Sequence, residues 1–199
     1  MAIHALILAE TPVRLWSLSS RERLDRILKK IHVDNRIDDP GAVPDQDSVL
    51  LLRADYLYDE RLIQSLVQNP GTVLQTAAPD PIVAVAAHVD AALAPVVRDL
   101  LLGTGSAEKL SALAFETPQS LAPNYLKKLR KIDPPYLLPI TEGNRKQLEK
   151  RLFSGSYKGV TDLVTKWLWP VPAQWATGYC ARKNITPNQV TSLSLLLVI

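Results

Sequence analysis

Cysteine is nearly absent: Cys180 is the only one in 199 residues. An internal disulfide is thereby excluded, and the composition fits a reducing compartment. A basic secretory leader is lacking too. Met1 to Glu10 holds only a short apolar run, which reads as a buried first strand in a protein that starts in the cytoplasm. The three histidines, His4, His32 and His88, have no mutual metal-ligand spacing. His4 and His88 fall on or beside expected strands and read as packed or edge residues. There is no internal repeat, no low-complexity segment, and no recognised nucleic-acid motif to accompany the basic residues. An apolar stretch of the ~20 residues that a spanning helix needs is missing as well. Val190 to Ile199 supplies about half of one.

What is present is ordinary in bulk and uneven in placement. Apolar residues make up 47% of the chain and charged residues 22%, as in a globular protein. The net charge is +3, but Lys127, Lys128, Arg130, Lys131, Arg145, Lys146, Lys150 and Arg151 crowd one region against Asp133, Glu142 and Glu149. Lys158, Lys166, Arg182 and Lys183 follow, with Asp162 as the counter-charge. Trp167, Trp169 and Trp175 lie among them, just ahead of the apolar C-terminal run. Positive charge and tryptophan beside an apolar segment fit an anionic membrane surface on the cytoplasmic side.

Periodicity gives the organisation. Ile3 to Leu8 reads as a central parallel strand. Ser19 and Glu22 form a capping box ahead of Leu24, Ile27, Leu28 and Ile31, spaced for an amphipathic helix. Asp34 to Asp47 is loop with room for a short strand. Val49 to Leu52 is a second buried strand, ending at Arg53-Ala54-Asp55. Asp59 caps a helix with Leu62, Ile63, Leu66 and Val67 on one face. Thr72 to Thr76 and Ile82 to Val89 read as strands. Asp90 caps a helix closed at Gly103, and Ser106 opens a shorter helix through Leu110 and Leu113. The alternation predicts an α/β, Rossmann-like layered domain with a mostly parallel sheet over residues 1–120.

Residues 121–184 read as a proline-punctuated helical region. Helices are expected over Asn124 to Lys131, Glu142 to Phe153, Val160 to Trp169 and Ala173 to Arg182, with Pro170 and Pro172 breaking the third. Residues 185–199 open a further helix. Thr186 is placed to cap it, and Pro187 suits its first turn, where a missing N–H costs nothing. The free N–H groups of that turn would form an anion site.

The residues Thr186-Pro187-Asn188-Gln189-Val190-Thr191, followed by apolar sequence, resemble the stretch that opens the first transmembrane helix of the membrane CDP-alcohol phosphatidyltransferase family. The run from Gly155 to Ala173 resembles bacterial members. The resemblance implies a transferase of phospholipid synthesis that joins an alcohol to a phosphate-bearing group from a CDP-linked donor and releases CMP. It assigns 121–184 to a juxtamembrane region and 185–199 to the start of a membrane helix. It makes Pro187, Asn188 and Thr191 substrate-binding candidates. The family's Asp-Gly-x-x-Ala-Arg signature, which holds divalent metal ions (Mg or Mn), does not occur here. The catalytic residues and the metal are therefore expected in a longer protein, beyond this stretch. The implied partners are an anionic lipid surface, the CDP-linked donor and a second copy of the chain, at the cytoplasmic face of the inner or plasma membrane.

The N-terminal domain resembles the sugar-phosphate nucleotidyltransferase fold, through Leu6-Ile7-Leu8-Ala9 with Arg14-Leu15, and through the strand ending at Asp55 followed by Tyr56-Leu57-Tyr58-Asp59-Glu60-Arg61-Leu62-Ile63. Where that family has a glycine-rich phosphate loop, this chain reads Glu10-Thr11-Pro12-Val13-Arg14. Glycine is absent, a proline removes one donor, and Glu10 repels phosphate. Arg14 and Asp55 are thus vestiges of a nucleotide and metal position, and the domain is expected to lack nucleotidyl transfer. Two alternatives stay open: an active cytidylyltransferase that makes the CDP-alcohol, and a soluble, non-enzymatic binding or regulatory protein.

Overall fold

A computed structural model describes residues 2–77, 81–105, 110–122, 125–126, 131–156 and 169–198. The chain divides into two compact units, one of Met1–Pro12 with Ser20–Thr141, the other of Val13–Ser19 with Glu142–Ile199.

The first unit is mixed α/β. Its strands are β1 (Ile3–Leu8), β2 (Asn35–Arg36), β3 (Ser48–Arg53), β4 (Tyr56–Tyr58), β5 (Thr72–Gln75), β6 (Ala84–Asp90) and β7 (Ala114–Glu116). Six of them form one sheet in the order β2-β1-β3-β6-β5-β7. The β1–β2, β1–β3 and β5–β7 pairs are parallel, while β6 runs antiparallel to both β3 and β5. The sheet is therefore mostly parallel, with one reversed strand near its middle.

Side-chain alternation sorts the core onto the two faces of this sheet. Ala5, Ile7, Leu50 and Leu52 point to one side, where α1 (Ser20–Lys30) brings Leu24, Ile27 and Leu28, and α2 (Glu60–Gln68) brings Leu62, Ile63 and Leu66. Leu6, Val49 and Leu51 point to the other, under Ala94, Val97 and Leu101 of α3 (Ala94–Leu101). Leu50, Leu51 and Leu52 are all fully buried, so β3 is covered on both faces. Each such leucine contributes about 1.5–3 kcal/mol by burial.

The turns follow the expected chemistry in several places. Asp59 caps α2, its Oδ1 accepting the Arg61 N–H at 3.1 Å. Gly103, at φ +78°, stops α3, with the Thr104 and Gly105 N–H groups turned back onto the Asp99 carbonyl. Asp90 differs: it precedes a 3-10 turn, Ala91–Leu93, and its side chain caps nothing. Pro95 sits in the first turn of α3, where its missing N–H is tolerated, so the regular helix starts late.

Other expectations are corrected. Tyr125 to Lys131 is not helical where it is described. β8 (Tyr125–Leu126) pairs antiparallel with β9 (Lys131–Ile132), with Tyr125 in register with Ile132. Leu110 to Leu113 is a turn closed by the Leu113 N–H on the Leu110 carbonyl, and residues 106–109 of that expected helix lie outside the described residues. A short helix, α4 (Pro118–Leu121), has a Thr117–Ser120 capping box. β10 (Leu137–Pro139) then pairs with β4.

The second unit is helical. It contains α5 (Arg145–Ser156), α6 (Pro170–Arg182) and α7 (Pro187–Val198). Pro170 and Pro172 sit in the first turn of α6, the position that tolerates proline. The expected helix over Val160 to Trp169 lies outside the described residues up to 168, as do Trp167, Lys158 and Lys166. Among the described residues no helix is long and apolar enough to cross a membrane; α7 has 12 residues.

Candidate functional site

Asp55 lies in the turn between β3 and β4 in the first unit, held by Arg53, two residues back. The Arg53 guanidinium donates to both carboxylate oxygens, Nε to Oδ1 at 3.0 Å and Nη2 to Oδ2 at 2.6 Å. Arg53 also donates to the Leu101 carbonyl at 2.9 Å and lies 5.4 Å from the Tyr56 ring centroid. The bidentate pair raises the Arg53 pKa, chiefly through its hydrogen bonds to Asp55. A divalent cation needs several convergent oxygens. Here the guanidinium occupies both oxygens of Asp55, and among the described residues no cluster of three or more His, Cys, Asp or Glu side chains is arranged for a metal.

The loop after β1 is committed elsewhere as well. Glu10 accepts from Arg21 at 2.6 Å, the Thr11 N–H points to the Ser20 hydroxyl at 3.4 Å, and Pro12 has no N–H. Arg14 belongs to the second unit, whereas Asp55 belongs to the first. The Arg14 Nη1 donates to the Ser17 carbonyl at 3.0 Å. Of the histidines, His88 is buried between the Leu66 carbonyl and the Ser48 hydroxyl, each at 2.9 Å, and burial lowers its pKa. His4 meets Asp47 at 3.1 Å.

In the second unit, the opening of α7 is a full capping box. The Thr186 Oγ1 accepts the Gln189 N–H at 3.4 Å, and the Gln189 Oε1 accepts the Thr186 N–H at 2.8 Å. This corrects the expected anion site. Pro187 has no N–H and two of the remaining donors serve the cap, which leaves the N–H of Asn188. The Asn188 side chain is exposed. The Thr191 hydroxyl donates to the Pro187 carbonyl at 3.0 Å, so it faces a ligand only as an acceptor. Beyond the cap, Val190, Leu193, Leu195 and Leu196 are exposed apolar side chains. α6 exposes Trp169 just before it, and Val171, Trp175 and Tyr179 along it, then ends in Arg182 and Lys183.

Sequence reasoning missed Trp16. Leu15 and Leu18 exchange backbone hydrogen bonds at 3.0 and 3.1 Å, closing a turn whose central residues, Trp16 and Ser17, have φ of +51° and +65°. Those are the signs of a type I′ turn, which ordinarily takes Asn and Gly. Two side-chain-bearing residues there cost about 1–3 kcal/mol each. The turn is secured from within its unit: the Trp16 N–H donates to the Glu149 Oε1 and its Nε1–H to the Glu149 carbonyl, both at 3.1 Å. The Ser17 hydroxyl donates to the Ala181 carbonyl at 2.9 Å, and the Trp16 ring lies 6.0 Å from that of Phe153. The result is a cleft of about 300 Å³ lined by Trp16, Glu149, Gln174, Trp175, Gly178 and Arg182. No glycine or asparagine in the sequence marks the turn. The one available signal was a lone tryptophan in a short loop.

In comparisons with known proteins, the chain matches no family model and no curated protein.

Proposed function

We propose that this chain is the N-terminal region of a membrane CDP-alcohol phosphotransferase, which transfers a phosphate-bearing group from a CDP-linked donor to an alcohol and releases CMP in phospholipid synthesis. The observation that carries the reading is the opening of α7. Thr186-Pro187-Asn188-Gln189 forms a reciprocal cap, and the helix it starts leaves Val190, Leu193, Leu195 and Leu196 exposed, directly behind Arg182 and Lys183. A helix that is apolar on its exposed sides calls for a non-aqueous surrounding. Basic and aromatic residues at its approach suit the cytoplasmic lipid surface of the inner or plasma membrane.

In this reading the transferase chemistry and its Mg or Mn ions belong to membrane helices of the full-length enzyme. Asn188, whose amide has no partner among the described residues, and Thr191, as an acceptor, touch the donor near Pro187. The α/β unit serves as a scaffold for docking or for pairing two copies of the chain. The Arg53–Asp55 pair and the committed loop after β1 favour that role over nucleotidyl transfer. The test is CMP release. Membranes from cells expressing the full-length gene are expected to release CMP from CDP-linked donors in a metal-dependent manner, and Asn188→Ala is expected to raise the KM for the donor. Release equal to that of membranes without the gene would remove the proposal.

A further inference from the structure

The cleft of the second unit has a charge arrangement that its own contacts do not satisfy. Arg182 is exposed at the end of α6 and makes no hydrogen bond or ion pair among the described residues; the same holds for the amide of Gln174. Glu149 faces the same space. Its contacts with the Trp16 N–H and with the Arg145 Nε, the latter at 3.5 Å, both fall on Oε1, so Oε2 has no described donor. Glu149 and Arg182 thus line one cleft with opposite charges and do not pair with each other.

The walls between those charges are aromatic. Trp175 is 72% exposed, an unusual state for an indole unless something covers it. Trp16 is presented by the strained turn. Gly178 keeps the floor open: a Cβ there would lie 3.3 Å from the Trp16 ring and 3.6 Å from the Arg182 Nη1. Ring and guanidinium are therefore close neighbours across one missing side chain. Strain of this kind, upheld by several hydrogen bonds, is a mark of a site whose shape matters.

A simple anion would meet Glu149, and a simple cation would meet Arg182. A zwitterion satisfies both. We propose that this cleft binds a phosphoammonium group. Its cation lies against the faces of Trp16 and Trp175 beside the free oxygen of Glu149, and its phosphate lies on Arg182 and Gln174. Ammonium recognition by tryptophan faces and a carboxylate is the aromatic-cage mode, and the guanidinium fork suits phosphate. Such a group occurs on zwitterionic phospholipids and as free phosphocholine or phosphoethanolamine. The inference does not depend on the transferase reading.

The experiment titrates the full chain with phosphocholine, tetramethylammonium and inorganic phosphate, following tryptophan fluorescence and calorimetric heat. Phosphocholine is expected to bind saturably in the millimolar range, with either half-ligand roughly tenfold weaker, the ratio that follows from losing one charge-assisted contact. Glu149→Gln, which keeps an oxygen for the Trp16 N–H, and Arg182→Gln, at an exposed position, are each expected to weaken it about tenfold while leaving the circular dichroism spectrum unchanged. A second arm uses phosphatidylcholine vesicles. Vesicle binding that free phosphocholine competes away identifies the lipid headgroup as the source. Phosphocholine binding without vesicle binding identifies the free metabolite. Inorganic phosphate matching phosphocholine, or binding unmoved by both substitutions, would overturn the proposal, as would the absence of saturable binding.

Discussion

Replacing Asp55 by Asn separates a structural from a metal-binding role for the first unit. In the wild-type chain the carboxylate accepts two hydrogen bonds from one guanidinium, at 3.0 and 2.6 Å. Asn keeps one acceptor and turns an NH2 toward Arg53, which has only donors. The loss is one charge-assisted bond plus the charge itself, about 1.5–3 kcal/mol in a buried setting. The side chains of Arg53 and Asp55 are 19% and 28% exposed, so water screens part of it. The expected cost is therefore about 1–2 kcal/mol. With a urea m-value of about 2 kcal/mol/M, the midpoint should fall by roughly 0.5–1 M at unchanged slope. A double-mutant cycle with Arg53→Met should return a coupling energy of about 1 kcal/mol. A metal ligand behaves otherwise. Mg2+ with CTP would then raise the wild-type midpoint by mass action and leave Asp55→Asn unmoved. A midpoint that stays or rises in Asp55→Asn, with wild type stabilised by Mg2+ and CTP, would refute the structural reading and revive nucleotidyl transfer.

Three further outcomes are expected. Gly105→Ala would set a Cβ 2.7 Å from the Leu100 backbone nitrogen and 3.0 Å from the Asp99 carbonyl carbon, so thermal unfolding should show a loss of about 1–3 kcal/mol, against little change for a surface substitution such as Lys29→Ala. His88, its pKa lowered by burial, is held neutral in the fold, whereas the unfolded chain takes up a proton at about pH 6.5. Its contribution is thus complete above that pH and declines as the pH falls below it, and a His88→Gln variant should lose this part of the pH dependence in urea titrations. The chain should sediment with anionic vesicles and release partly as salt rises, and removing residues 169–199 should abolish this; sedimentation unchanged by the truncation would contradict the membrane-surface argument.

The layers of the α/β unit were legible because period decides them. The continuous apolar runs Ile3 to Leu8 and Val49 to Leu52 mark strands covered on both faces, and the 3.6-residue spacing of Leu24, Ile27 and Leu28 marks a helix face turned to the core. The reversal of β6 was not legible, since an apolar run buried on both faces reads the same in either direction. β10 is three residues ending on Pro139, and its register is set by a distant partner, which no local pattern encodes. At α7, Thr186 and Pro187 announced the helix start, but that Gln189 closes the box and consumes the donors of an anion site emerged only from geometry. Trp16 illustrates the limit most plainly. Its left-handed backbone is imposed by bonds to Glu149 and by the Ser17–Ala181 bond, contacts more than a hundred residues away in the chain.

The reading frame of the gene tests whether α7 leads, as proposed, into the membrane part of a CDP-alcohol phosphotransferase. Sequencing through the codon for Ile199 is expected to show the frame continuing into several apolar segments of about 20 residues with clustered aspartates among them. A stop codon at that position would contradict the account.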